Sequence, residues 1–427
     1  MKKITMLVIG AGGRGTTYAK FALEHPDMFQ VVGVAEPIKE RREKMQKEHN
    51  IPDEMCFDDW KPILDLPKCA DMVVISTMDE LHYEPCLKAI EKKYAILLEK
   101  PMAQSPQECF EIAKSAEENN VKIVVCHVLR FTEFFKKIKE IILSGKLGKI
   151  ATVQHSEGVG NLHQSHSYVR GNWKNSIESA PMILTKSCHD TDIIQWLVGE
   201  KCKKIQSFGS LLYFNRENKP EGSPERCIDG CPYGETCYYN SVKLYLEDEK
   251  NDWFRGAATM LPNPTNADVE KALRETEYGK CVYNCSNDVV DHQVVNMLFE
   301  GGISSTFTMS AYNMGGRDIR IMGTKGELIG NAGDDHVKFF NFATRETEII
   351  HVTDKTTNQD ITGGHGGGDT GIMFELHKYL TEDYDGFSIC DIGTTCDNHL
   401  IAFMAEKSRI NEGTTIDIEK YKKELSK

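Results

Sequence analysis

The sequence predicts an α/β protein in two parts: a parallel sheet covered by helices, then an α/β domain on a large, mainly antiparallel open sheet. Three observations predict it. From Ile4 to Val125, short unbroken apolar runs alternate with amphipathic helical patterns, which is how a parallel sheet covered on both faces reads. From Ile150 onward the strands alternate polar with apolar and come in tight hairpins, the signature of an antiparallel sheet. The 427 residues also exceed what one hydrophobic core normally serves, about 250–300 residues.

The elements follow in order. Strands are predicted at Ile4–Ile9, Gln30–Ala35, Met72–Ser76, Ala95–Leu98 and Lys122–Val125, with helices at Ile38–His49, Leu81–Lys93 and Pro106–Asn119 between them. A linking helix is expected near Phe134–Ser144. Three hairpins then pair Val294–Phe299 with Ile303–Met309, Arg317–Met322 with Glu327–Ile329, and His336–Ala343 with Glu346–Val352. A helix at Thr191–Val198 interrupts this region, and a Cys-rich insertion runs from about 215 to 239. The boundary is placed after residue 126, giving parts of 1–126 and 127–427.

The first strand runs into Gly10-Ala11-Gly12-Gly13-Arg14-Gly15, and a helical pattern leaves it. This is G-x-G-x-x-G in a strand–turn–helix context: Gly10 for the turn, Gly12 for close approach of a pyrophosphate, Gly15 for helix–strand packing. The bare helix N-terminus, with Gly13 and Arg14 beside it, offers N–H groups to phosphate. The second strand ends at Glu36, about twenty residues on, where a carboxylate accepts from both ribose hydroxyls and repels a 2′-phosphate. NAD is therefore the expected cofactor rather than NADP.

Lys100, in Glu99-Lys100-Pro101, follows the Ala95–Leu98 strand and so falls on the ligand edge of the sheet. A lysine there can bond a substrate hydroxyl and help remove its proton. The other reading is a surface lysine before a turn proline.

Composition narrows the partners. The net charge of −13 carries no long basic run, so nucleic acid and anionic membrane are poor partners, and the acidity reads as solubility. Met1-Lys2-Lys3 leads into a buried strand rather than a signal peptide, and no run approaches the roughly 20 apolar residues of a membrane span. The expected setting is cytoplasmic, with the fourteen cysteines as thiols or ligands.

Together GAGGRG, Glu36-Pro37, Ser76-Thr77 with His82 beyond them, and Glu99-Lys100-Pro101 resemble the glucose–fructose oxidoreductase / inositol dehydrogenase / rhizopine-catabolism (Gfo/Idh/MocA) family. The resemblance covers most of the chain. It implies an NAD(P)-dependent enzyme acting on sugars, cyclitols or glycosides. It adds Ser76, Thr77, His82, Glu99 and Lys100 to the cofactor set and makes Lys100 the family's catalytic lysine as well. The family's D-x-x-x-H-x-x-D segment matches Thr185-Lys186-Ser187-Cys188-His189-Asp190-Thr191-Asp192. His189 then takes the catalytic histidine's place and Asp192 that of the helix acid. Thr185 replaces the usual substrate-contacting Asp, and Lys186 beside it offers a different polar contact to substrate and joins Lys100 and His189 in the candidate catalytic set. Read from the residues, Thr191 or Asp190 is a candidate N-cap. His189 at a helix N-terminus is held neutral and able to accept a proton, or it merely anchors the cap.

Gly363-Gly364-His365-Gly366-Gly367-Gly368-Asp369 opens what reads as the last long helix. It is a close-approach ligand loop carrying His365 or a flexible linker. A similar loop occurs in NAD-dependent α-N-acetylgalactosaminidases, which cleave glycosides by oxidation, elimination, hydration and reduction with NAD kept bound. His155, His163, His166, Arg170 and Trp173 cluster after the first strand of the second part, either as sugar contacts or as packing; Trp173 is the preferred contact. Arg130 completes the candidate substrate set.

Cys227-x₃-Cys231-x₅-Cys237, with Cys281-x₃-Cys285 downstream, suggests a structural zinc clip, the alternative being free thiols. The functional expectation is an NAD-dependent oxidoreductase of a sugar, glycoside or cyclitol secondary alcohol, working as a homodimer or homotetramer. The alternatives are a redox-neutral NAD-dependent glycoside hydrolase and a non-catalytic NAD sensor.

Overall fold

The computed structural model describes residues 2–352, 366–384 and 386–425. Two sheets organise them. The first has six strands, β1 (Ile4–Ile9), β2 (Phe29–Ala35), β3 (Cys56–Phe57), β4 (Met72–Ile75), β5 (Ala95–Leu98) and β6 (Ile123–Val125), in the order β3-β2-β1-β4-β5-β6. Every pairing in it is parallel. The order reverses beside β1, and a ligand crevice opens at that switch point.

The expected strands and helices of this half are present. Edge strand β3 and the helix Trp60–Asp65 were not anticipated, because two and six residues are too short for a period to register. The helix expected over Leu81–Lys93 is instead one tight turn, Asp79–Leu81, followed by a helix over Tyr83–Glu91. Pro106–Asn119 forms as read. Its Ser105–Glu108 capping box and Pro at the first turn start it, and Asn120, in the left-handed conformation at φ 52°, ends it.

The second sheet contains β7 (Ile150–Gly158), β8 (Cys202–Ser210), β9 (His292–Phe299), β10 (Ser304–Ser310), β11 (Gly316–Gly323), β12 (Gly326–Asn331), β13 (His336–Asn341), β14 (Thr347–His351) and β15 (Ile416–Asp417). Their order is β14-β13-β12-β11-β7-β10-β9-β8-β15. The three expected hairpins are there. The β7–β10 pair is parallel, which makes the sheet mixed although antiparallel pairs dominate. Alternation along β7 sends Val153, His155 and Glu157 to the buried face. Helices Glu133–Leu143, Cys188–Val198 and Ile392–Ile410 cover that face through Phe135, Ile138, Ile193, Ile194, Ile401 and Met404.

The C-terminal helices return to the first sheet. Gly368–Thr381 buries Ile372, Met373 and Leu376 against Phe21, Phe29 and Val128. It is not the last long helix: Ile392–Ile410 follows, and its Ile392 and Cys396 pack with Ile96 and Cys109 of the first half. The excursion between β8 and β9 is also larger than the expected insertion. Beyond Tyr239 it adds helices Asp252–Thr259 and Asn266–Glu275, which close their own apolar cluster of Tyr245, Phe254, Val269, Leu273 and Tyr278. Among the described residues no helix is long and apolar enough to cross a membrane.

Candidate active site

The glycine loop has the geometry its motif requires. Gly10 sits at φ +89°, and a Cβ there would stand 2.5 Å from the Ser76 carbonyl oxygen. A Cβ on Gly15 would stand 1.9 Å from the Gly10 oxygen. At Gly13 nothing lies within 4 Å, and at Gly12 only an Arg41 nitrogen at 3.6 Å. Gly12 caps the helix Gly13–Glu24 with no side chain bonded across its end, so the N-terminus is bare. That open, side-chain-free cradle fits a pyrophosphate. Glu36, at the end of β2, accepts from the N–H of Ala11 at 2.6 Å and of Ile38 at 2.9 Å. Its carboxylate thus fastens the glycine loop to the end of β2.

Arg14 turns away from this cradle. Its guanidinium donates to Glu99 Oε1 at 2.6 Å, to Asp369 Oδ1 at 2.6 Å and to the Tyr18 hydroxyl. It is therefore a strut between the first helix and the C-terminal helix rather than a phosphate ligand. Burial opposes ionisation of Glu99, but Arg14 and Lys100 outweigh it and hold the carboxyl below the usual range.

Ser76 Oγ donates to the Gly10 carbonyl at 2.8 Å, tying β4 to the glycine turn. The Thr77 hydroxyl caps its own turn through the Leu81 oxygen. His82 is fully buried, with Nδ1 2.7 Å from the Pro101 oxygen and Nε2 3.2 Å from the Thr77 oxygen. It braces the loops after β4 and β5 against each other. Lys100 precedes a cis peptide to Pro101. Its Nζ donates to the carbonyl oxygen of Thr185 at 2.7 Å, so the first half's lysine meets the segment that carries His189.

That segment starts its helix one turn earlier than expected. Ser187 is the N-cap and Cys188–Val198 the helix, so Asp190 and Thr191 lie inside it. Asp190 could not cap because it is committed to packing: it accepts from Arg317 Nε and lies against His155 Nε2, both at 2.7 Å. His189 is buried in the helix's first turn, its ring 6.2 Å from that of His127. Asp192 takes both arms of Arg130 at 2.7 Å. Arg130, expected as a substrate contact, is thus a buried bidentate partner of Asp192. Lys186 lies 3.4 Å from Glu157, which also accepts from Arg317 at 2.6 Å. Burial lowers the basicity of Lys186, and Glu157 opposes that shift.

Aromatic groups run in a chain from Trp173 to Trp253. The Trp173 indole N–H donates to Asp79 Oδ2 at 2.9 Å, bridging the two halves. Burial raises the Asp79 carboxyl; His82, Lys100 and the Trp173 bond pull it back. His163 stands edge-on to Trp253 at 5.0 Å and lies 5.9 Å from Tyr168, which is 6.1 Å from Trp173. Burial, then Lys186, push the basicity of His163 down to about 2, so the ring is neutral.

Of the five clustered residues, His163 and Trp173 face this region. His155 joins Asp190, His166 stacks on Phe254 at 4.0 Å, and Arg170 donates to the Tyr239 and Lys280 carbonyls. Trp253, Asp79, Glu157 and Arg317 escaped the sequence reading. Only long-range pairing assembles them, and Trp253 lies in an insertion without a motif. His365 lies outside the described residues.

Cys227, Cys231, Cys237 and Cys281 border one small apolar cavity. All fourteen cysteines are free, and among the described residues no three His, Cys, Asp or Glu are grouped to hold a metal ion. The expected zinc clip at Cys227, Cys231 and Cys237 therefore does not fit: these side chains share a cavity without converging on a point.

A bare glycine cradle, an acid at the end of β2 and a lysine on the sheet edge define a dinucleotide-binding oxidoreductase. Residues 4–127 match the oxidoreductase family with an NAD-binding Rossmann fold, and residues 139–408 match that family's C-terminal α/β domain. The chain belongs to the Gfo/Idh/MocA family and is an NAD-binding enzyme. It is 26% identical to YteT of Bacillus subtilis over 322 residues, 72% of each chain. It is 27% identical to the 2,7-anhydro-N-acetylneuraminate hydratase of Escherichia coli over 205 residues, 48% of this chain and 52% of that enzyme. The fold matches a levoglucosan dehydrogenase solved with NADH and L-sorbose at TM-score 0.69 and 17% identity, covering 98% of this chain and 99% of that one.

Proposed function

We propose that the protein oxidises a secondary alcohol of a sugar, glycoside or cyclitol in an NAD-dependent reaction. The observation that carries this reading is the Lys100 ammonium held on the Thr185 carbonyl, four residues before His189. Gly10, Gly12, Gly13, Gly15 and Glu36 would hold the dinucleotide, which supplies the hydride acceptor when bound. An incoming hydroxyl replaces the Thr185 carbonyl as the acceptor of the Lys100 hydrogen bond. His189 takes the hydroxyl proton as the C–H bond breaks, and the Lys100 ammonium stabilises the charge developing on oxygen. His82, Arg14 and Glu99 fix the loop that carries Lys100. In this reading residues 1–126 bind the cofactor and residues 127–427 bind substrate.

The second reading is a redox-neutral glycoside hydrolase. Thr185 in place of the family's Asp favours it, as does the likeness to the hydratase. Incubation with a glycoside panel, following NADH absorbance and released aglycone together, separates the two. Accumulating NADH supports the dehydrogenase, and aglycone without net NADH supports the hydrolase. NAD held with neither product overturns both.

We further propose a homodimer or homotetramer joined through the exposed face of the nine-stranded sheet, which a solution mass measurement tests. A reducing, cytoplasmic setting is supported by the fourteen free cysteines.

A further inference from the structure

The substrate side of the site has a charge asymmetry between its layers. The side chains of Glu157 and Asp190 are 1% and 0% exposed, whereas those of Lys186 and Arg317 are 18% and 17% exposed. The anions form the floor and the cations the accessible layer. The floor is also fully used. Glu157 accepts from Arg317 at 2.6 Å and from the Ser187 hydroxyl at 3.0 Å, and Asp190 holds Arg317 and His155, each at 2.7 Å. Lys186 is left with the longest contact of the set, 3.4 Å to Glu157, against the roughly 2.7–2.9 Å of a well-formed charge-assisted bond. Its ammonium is attracted to the floor but not saturated by it.

Burial, then Lys186, His166, Lys100 and Arg317, disfavour protonation of His163. The ring stays neutral, and Trp253, which is 54% exposed, stands edge-on to it. A flat aromatic pair beside a cationic layer suits a ring with one C–H face and one anionic substituent.

We infer that the substrate is an acidic sugar, its carboxylate bound by Lys186 and the exposed edge of Arg317 and its ring face resting on His163 and Trp253. This rests on the saccharide reading above and narrows it. A hydroxyl in that position would give Lys186 a neutral acceptor. A carboxylate gives it a charge-assisted bond roughly twice as strong.

The test is calorimetric titration of the full-length, NAD-loaded protein with matched pairs: galacturonate against galactose, glucuronate against glucose, and their methyl glycosides. At least one acid should bind about tenfold or more tightly than its neutral partner, and the advantage should shrink as salt is raised. Lys186→Gln should abolish the advantage and Lys186→Arg should keep most of it, with NAD affinity unchanged in both. If Lys186→Gln does not fold, the acid-to-neutral ratio and its salt dependence in the unaltered protein decide. Neutral sugars binding as well in every pair, or galactose 6-phosphate binding more tightly than galacturonate, overturns the inference. Acid-selective binding with neither NADH nor aglycone produced upholds it and overturns the oxidoreductase reading instead.

Discussion

Lys100 donates to the Thr185 carbonyl at 2.7 Å, and that one bond carries the candidate catalytic lysine from the edge of the first sheet onto the helix segment of the second. Its acceptor is a main-chain oxygen, so the side chain at 185 can change without removing it. Lys100→Met should therefore leave NAD binding nearly intact, because the glycine cradle and Glu36 are untouched. Turnover should fall by about 10²-fold or more, the scale of a lost acid–base group. NAD affinity from fluorescence titration and initial rates on one preparation check both halves. Undiminished turnover would remove Lys100 from the chemistry.

The glycine loop predicts a graded response within one motif. Gly15→Ala drives a Cβ to 1.9 Å from the Gly10 oxygen, and Gly10→Ala adds a clash at 2.5 Å to a positive φ of 89°. Both contacts are backbone and cannot move aside, so both variants should lose NAD binding and much of their stability. Gly13→Ala meets nothing within 4 Å at a first-turn helix position. Its stability should stay within about 0.5 kcal/mol of the parent or rise, since alanine loses less backbone entropy. Denaturant midpoints of the three variants decide; equal losses at all three would contradict the packing described.

The buried charge floor predicts acid sensitivity. Burial disfavours the ionised form of Asp190, but Arg317 and His155 outweigh it and hold the carboxyl well below its ordinary range. Glu99 is held low by Arg14 and Lys100. Both contribute stability that is present above the ordinary carboxylate range and lost as pH falls through their depressed folded values. Glu157 has the opposite sign: burial raises it despite Arg317, so its contribution is lost as pH rises through its raised folded value. Through Asp190 and Glu99, acid is the destabilising direction. Arg317→Leu leaves two buried carboxylates without their shared cation and should cost about 3–5 kcal/mol near neutrality. That loss should shrink as the pH is lowered and the carboxyls take up protons, which denaturant melts across pH would reveal.

Legibility in the sequence followed the range of each interaction. β1, the glycine turn, Glu36 and Lys100 are encoded within short stretches, and the hairpins of the second sheet declare themselves by alternation. Arg14 and Arg130 misled because a guanidinium in a motif gives no sign of the buried carboxylate that will claim it. Glu99 and Asp369 stand 85 and 355 residues from Arg14, and Asp192 stands 62 from Arg130. Ser187 displaced Asp190 as the helix cap for the same reason: a distant Arg317 had already claimed the carboxylate. The Glu157–Arg317 pair, separated by 160 residues, became visible only once β7 and β11 were paired.

Trp173 shows how a residue chosen for substrate binding can act through a bond between the two halves. Its indole N–H donates to Asp79 at 2.9 Å, and Asp79 is a buried carboxyl already raised by its surroundings, with the indole bond among the groups that pull it down. Trp173→Phe keeps most of the ring area and deletes that donor. The Asp79 folded value then rises further above its unfolded one. A raised carboxyl contributes stability below the unfolded value and loses it as pH rises through the folded value. The variant should therefore be destabilised by about 1–3 kcal/mol at mildly alkaline pH, the cost of an unsatisfied buried acceptor, and by less in mild acid, where the carboxyl is neutral. Denaturant midpoints of both proteins at the acid and alkaline ends of the folded range test this. A loss independent of pH would assign Trp173 to packing alone, whereas a loss growing with pH identifies the indole–carboxylate bond as the tie across the cleft.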